Sequence, residues 1–182
     1  MSQTYLIIDG GIVTNVVLAS ADVAAGNGWI ASDGAANIGW TYDGETFAPP
    51  VVPLADRKAA MRAQVDELSL RYSEAGYDHD FGEAGIHRLQ TREQDRTNWL
   101  ALAQDASLLV LTGNGHLSAG GIRTEANATV PVTGAQAQAA MLGMKAHLAL
   151  IMAHGWGLKD EISAAEDHAA LDAIDLINGW PA

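Results

Sequence analysis

An Asp-Gly pair set between runs of β-forming residues occurs twice in the first fifty positions, and the second is closed by a double proline. The first reads Tyr5-Leu6-Ile7-Ile8, then Asp9-Gly10-Gly11, then Ile12 to Ala19; the second reads Trp40-Thr41-Tyr42, Asp43-Gly44, Glu45-Thr46-Phe47 and then Ala48-Pro49-Pro50. A tight turn of this kind needs positive φ, which glycine adopts without a Cβ penalty, so the pairs predict two hairpins. Proline has no N–H to give to a ladder, so Pro49 and Pro50 end the sheet and open a stiff linker that Pro53 extends. The chain must therefore begin with a small antiparallel β-module, residues 1–50, joined to something built differently. So small a sheet needs large side chains to bury enough area, and Trp29, Trp40 and Phe47 are expected to supply its core. An exposed aromatic platform for sugars is the alternative. Residues 26–30 and 32–37 read as turns.

After the prolines, helical spacing takes over. Leu54, Met61, Val65, Leu68 and Tyr72 are spaced 7, 4, 3 and 4, with Lys58 interrupting. This is an a/d seam on a helix over residues 54–75. Such a seam either lies against its own domain or joins copies of the chain, which would make the protein a homo-oligomer. Linker and helix form a connecting segment, residues 51–85, whose Gly-rich end from 76 to 85 reads as a loop.

A third segment, residues 86–182, is mainly helical. Thr91-Arg92-Glu93-Gln94 has the capping-box pattern, as do Thr133-Gly134-Ala135-Gln136 and Ser163-Ala164-Ala165-Glu166, each predicting a helix start. The first helix carries Trp99, Leu102, Ala103, Ala106, Leu109 and Val110 on one face and stops at Gly113-Asn114-Gly115. The second is expected to bury Ala137, Met141, Met144, Leu148, Ile151 and Met152. Residues 122–132 read as one strand with Arg123, Glu125 and Asn127 along one side. The fold class is α+β.

At 182 residues with 48% apolar content the chain has enough material for a packed core. No apolar run approaches the roughly 18 residues that span a bilayer, and no basic start leads into an apolar stretch, so neither a membrane segment nor a secretory signal is expected. Cysteine is absent, which removes disulfides, thiolate nucleophiles and Cys-ligated zinc. The net charge is −12, of which residues 1–50 carry −5 with no Lys or Arg. Such a chain repels phosphate backbones, so no nucleic-acid partner is expected.

With this layout, residues 90–177 resemble a domain of unknown function that recurs in bacteriophage tail proteins. The resemblance is carried by Gln90-Thr91-Arg92-Glu93-Gln94-Asp95-Arg96, by Ile122-Arg123-Thr124-Glu125-Ala126-Asn127, and by His147 followed by Trp156-Gly157-Leu158-Lys159-Asp160-Glu161-Ile162. The family often has Trp before the Arg of its central strand, where this chain has Ile122. The front end is similar to the β-modules of tail-fibre and tail-assembly proteins, through Gly11 to Val17, Gly28-Trp29 and Trp40 to Pro50. The resemblance implies a virion component made in the host cytoplasm, a connector or adaptor at the tail tip, baseplate or fibre attachment. Its partners would be other tail, baseplate or fibre proteins. The alternative is a tail-fibre assembly chaperone that leaves before the virion is complete. Tail appendages are commonly three-fold or six-fold, so the resemblance favours a trimer with Val65 and Leu68 at its centre.

The candidate chemical sites are weak. Arg92, Glu93, Asp95 and Arg96 share the first turns of one helix and can pair with one another. His147 and His154 are seven apart, whereas helical metal ligands favour a spacing of three or four, so both are expected as surface histidines. Asp78-His79-Asp80 are adjacent and converge poorly on one ion. Arg92, Arg123, Glu125 and Asn127 are expected to form a fixed polar network rather than a binding site. There is no Gly-x-Ser-x-Gly elbow, Walker loop or Rossmann fingerprint. The expectation is a structural protein, not an enzyme, with no cofactor.

Overall fold

The structure, a computed structural model, describes residues 2–181. It is α+β, and divides into two compact units at Pro53.

In the first unit the hairpin of β1 (Ser2–Asp9) and β2 (Ile12–Ser20) turns through Gly10 and Gly11, both at positive φ. These are the dihedral signs a two-residue loop needs to match strand twist. A bulge between Ile7 and Ile8 shifts the register from Ile7–Asn15 to Ile8–Val13. Helix α1 (Ala21–Asn27) follows, where the sequence reading assigns no helix, closed by Gly28 in the left-handed region. Strands β3 (Ile30–Ala31), β4 (Thr41–Tyr42) and β5 (Phe47–Ala48) complete a sheet of order β3-β1-β2-β4-β5. The second Asp-Gly pair makes a four-residue loop rather than a tight turn. There the Asp43 carboxylate accepts from the amides of Glu45 and Thr46 and from the Thr46 hydroxyl, and these bonds hold its pKa below the usual carboxylate value. The core is Leu6, Val13 and Ala36, with Trp40 and Phe47 packed at its margin. Trp29 is half-buried outside that cluster: aliphatic residues fill the centre and the aromatics cover it.

The second unit begins with α2 (Leu54–Glu74), so this helix belongs to the C-terminal unit instead of connecting two others. Its seam faces its own chain. Val65 and Leu68 are buried in a cluster with Ile151, Leu158, Ile162, Leu171 and Trp180, and Leu54, Met61 and Tyr72 pack around it. Val65 and Leu68, expected at the centre of a trimer, are thus enclosed by their own chain.

The Gly-rich segment is a hairpin rather than a loop. Strand β6 (Tyr77–Asp80) pairs with β7 (Ile86–Leu89), and Gly82–Ala84 form a 3-10 turn between them. Helix α3 (Glu93–Leu111) follows without a side-chain cap. Thr91 is buried, and its hydroxyl accepts the Gly76 amide instead. The predicted single strand is two, β8 (Ser118–Arg123) and β9 (Thr129–Thr133), folded back through Asn127 at φ 61. Asn is among the few non-glycine residues that tolerate this region.

Helix α4 (Gly134–Ala164) has the predicted capping box, with Thr133 and Gln136 bonded reciprocally. At 31 residues it is about 46 Å long and serves two cores. Ala137, Ala140 and Met144 pack with Trp99, Leu89 and Ile122, whereas Ile151, Leu158 and Ile162 pack with α2. The proposed cap at Ser163 is instead the last turn of α4, and Asp167 caps α5 (His168–Asp172) by accepting the Ala170 amide. The chain then lays Trp180 flat on Tyr72 at 5.0 Å.

Candidate functional site

Helices α3 and α4 meet through small or flat surfaces. Ala106, Ala137 and Ala140 are fully buried between them, and short side chains let the backbones approach. Beside that contact the larger side chains diverge and leave an open trough of about 580 Å³. Trp99 and Met144 form its floor. The Trp99 indole N–H donates to the Gln90 carbonyl at 2.7 Å, so the ring's one polar atom is satisfied and the rest of it is apolar surface.

The walls follow helical spacing. Arg96, Leu100, Ala103 and Ser107 come from α3; Gln138, Met141, Leu142, Lys145, Ala149 and Met152 come from α4. Leu100 is 65% exposed and Leu142 61%, values that place two large aliphatic side chains in water with nothing of this unit above them. Along α4, Leu142, Lys145, Ala149, Met152 and Trp156 make one solvent-facing stripe, and Trp156 continues the apolar face past the trough. Helix α4 is thus apolar on two faces, one packed into the cores and one turned to solvent.

The lining of the trough is positively charged on a chain that is acidic as a whole. Arg96 and Lys145 are the ionisable residues that line it, and no carboxylate does. Arg96 spends its Nε on the Thr91 carbonyl at 2.7 Å. Among the described residues, neither Arg96 nor Lys145 has an ion-pair partner.

The polar residues expected to share one network divide instead. Arg123 donates to Asn127 at 2.8 Å and to the Thr129 hydroxyl, stapling the β8–β9 turn. Arg92 pairs with Asp95, and Arg123 and Asp95 line a smaller pocket of about 180 Å³ on another side of Trp99. Glu125 goes to Arg88, a residue the sequence did not single out. Arg88 donates from Nε to the Ala75 carbonyl and pairs with Asp78, tying the end of α2 to both hairpins. With exposed partners, each such pair contributes on the order of 0–1 kcal/mol.

The histidines also differ from expectation. His147 is buried and its ring lies 5.4 Å from Tyr77, which is followed by His79 on β6 and by Phe81 just beyond its end. Burial pushes the His147 pKa down, Arg88 adds to that and Asp78 opposes it; burial likewise lowers His79 against Asp80. His154 lies edge-on to Trp180, with its Nε2 buried and without a hydrogen-bond partner. Among the described residues, no three His, Asp or Glu side chains gather as a metal site, and no helix is long and apolar enough to cross a membrane.

Two periodicities foreshadow the trough. Leu100 and Ala103 extend the apolar face of α3 sideways, and α4 from Gly134 to Leu158 has Lys145 as its one Lys, Arg, Asp or Glu. Residues 56–176 match the model of a family described as a domain of unknown function, DUF4376. The match covers about two thirds of the chain, and the chain belongs to that family. It takes in α2, both C-terminal hairpins and the α3–α4 pair, and so coincides closely with the second compact unit. No curated protein and no solved structure matches the chain.

Proposed function

We propose that this protein is a structural component of a bacteriophage tail, a connector or adaptor at the tail tip, baseplate or fibre attachment, working through protein–protein contacts and without catalysis or cofactor. The observation that carries the contact role is the α3–α4 trough, an apolar surface with large side chains facing solvent on an otherwise acidic chain. The assignment to a tail rests on the resemblance of residues 90–177 and of the N-terminal β-module to tail proteins. Two compact units separated by Pro49, Pro50 and Pro53 suit a part that holds two neighbours. With the α2 seam enclosed, any homo-oligomer uses another face.

A second reading is favoured by the same trough: a tail-fibre assembly chaperone, which needs an open apolar surface that can release its client. Quantitative mass spectrometry of purified particles beside infected lysate separates the two. A virion component is present in both at a fixed ratio to the major tail proteins. A chaperone is abundant in lysate and missing from particles. Absence from both the particles and the tail-assembly intermediates in lysate overturns both readings.

A further inference from the structure

We infer that the α3–α4 trough is the docking site for a single amphipathic helix of another protein, with an apolar stripe flanked by Asp or Glu. The inference rests on the protein-contact part of the proposed function and adds the partner's chemistry.

Its secondary structure follows from the walls. Both are helix surfaces whose backbone N–H and C=O groups are bonded within their own helices, so the trough offers side chains and no ladder edge. A segment buried there must satisfy its own backbone, which a helix does and an extended peptide does not. Length follows from the lining residues. Arg96 to Ser107 and Gln138 to Met152 correspond to about 16 Å and about 21 Å of helix, so the occupant spans roughly three to four turns. Met141, Met144 and Met152 give the surface unbranched side chains that repack around a guest.

The sign of the partner's charge follows from Arg96 and Lys145. On a chain of net charge −12, a trough with two cations and no carboxylate is a local inversion, complementary to acidic flanks. The same inversion argues against a second copy. A two-fold pairing through this face would set Arg96 and Lys145 of one copy against the same residues of the other, and like charges across an interface oppose association.

The test uses the full chain and two synthetic stapled helices of about 16 residues, long enough for four turns. They share one Leu stripe at i, i+4, i+7 and i+11; one carries Glu at the flanking positions and the other Lys. Calorimetric titration is expected to show the Glu helix binding about tenfold or more tighter than the Lys helix. Arg96→Glu with Lys145→Glu reverses the preference, and Leu142→Asp removes binding of both. Circular dichroism of each variant establishes that it is folded. Equal affinity for the two helices, or no binding of either, overturns the inference. So does a concentration-dependent dimer in sedimentation that Leu142→Asp dissolves, which would place a second copy in the trough. The titration needs no phage particle: binding by a protein absent from both particles and tail-assembly intermediates leaves the inference standing and removes the tail assignment, and the converse removes the inference alone.

Discussion

Leu68→Ala separates the enclosed α2 helix from an oligomer seam, because the two predict different things of one variant. Leu68 is 5% exposed and its neighbours include Val65, Ile151 and Trp180. The substitution removes three carbons, which is about 2.4 kcal/mol of transfer free energy at ~0.8 per methylene. The cavity left behind adds to this, and buried Leu→Ala changes cost about 2–5 kcal/mol in all. We take about 3 kcal/mol, toward the lower part of that range, since Leu68 keeps a small exposed fraction. For a unit running from Leu54 to Ala182, that lowers the melting temperature by about 10 °C. Urea unfolding and thermal melting of the full chain, followed by far-UV circular dichroism at several protein concentrations, measure it. An intramolecular contact gives the same loss at every concentration, whereas a seam between copies gives a midpoint that rises with concentration. By the same reasoning Val65→Asp places a charge in a dry cluster and unfolds the unit, instead of yielding a folded monomer. A Leu68→Ala loss below about 1 kcal/mol, with a smaller sedimenting species, refutes the packing argument.

Three further outcomes follow from the second unit. A Cβ on Gly143 would stand 2.2 Å from the Tyr77 hydroxyl, so Gly143→Ala is expected to destabilise by about 1–3 kcal/mol despite its better helix propensity; Tyr77→Leu in the same chain recovers part of the loss in urea midpoints. His79 and His147 have pKa values below the ordinary 6.5, so the unfolded chain binds more protons. The stability they confer is complete above that pH and declines as pH falls through the folded values. Urea midpoints at pH 7.5, 6.5 and 5.5 should fall in that order and fall less in His147→Gln; equal midpoints contradict it. Thr91→Val leaves the Gly76 amide without its acceptor and costs about 1–3 kcal/mol, whereas Thr91→Ser keeps the bond and costs less in the same melts.

Local chemistry made much of the fold legible. Gly10 and Gly11 mark the first hairpin because positive φ at both positions is needed there, and Thr133 with Gln136 mark the start of α4 because two orphan donors need acceptors. The seam of α2 was readable as apolar spacing, but spacing is silent on what covers it, and the cover is Ile151, Leu158, Ile162 and Trp180, about eighty residues or more later in the chain. Thr91 shows the same limit: its cap pattern is intact in sequence, yet the Gly76 amide competes for the hydroxyl and wins by burial. Helix α1, only seven residues long, has too few apolar positions to show a period. The polar network failed because Arg88, its missing member, lies on a hairpin that reads as a polar loop. The trough is a property of two helices together. Leu100 and Leu142 are ordinary helix residues until α3 and α4 are side by side.

Zero-length carbodiimide coupling on purified particles tests the central claim most directly, because it joins a lysine amine only to a carboxylate in contact with it. Lys145 has no ion-pair partner among the described residues, whereas Lys159 already contacts Asp66 of its own chain. A tail component that holds an acidic helix in the α3–α4 trough predicts a Lys145 peptide joined to an Asp or Glu of another tail protein, at positions of helical spacing. Particles that contain the protein but leave Lys145 uncoupled, while Lys159 links to Asp66, contradict the account.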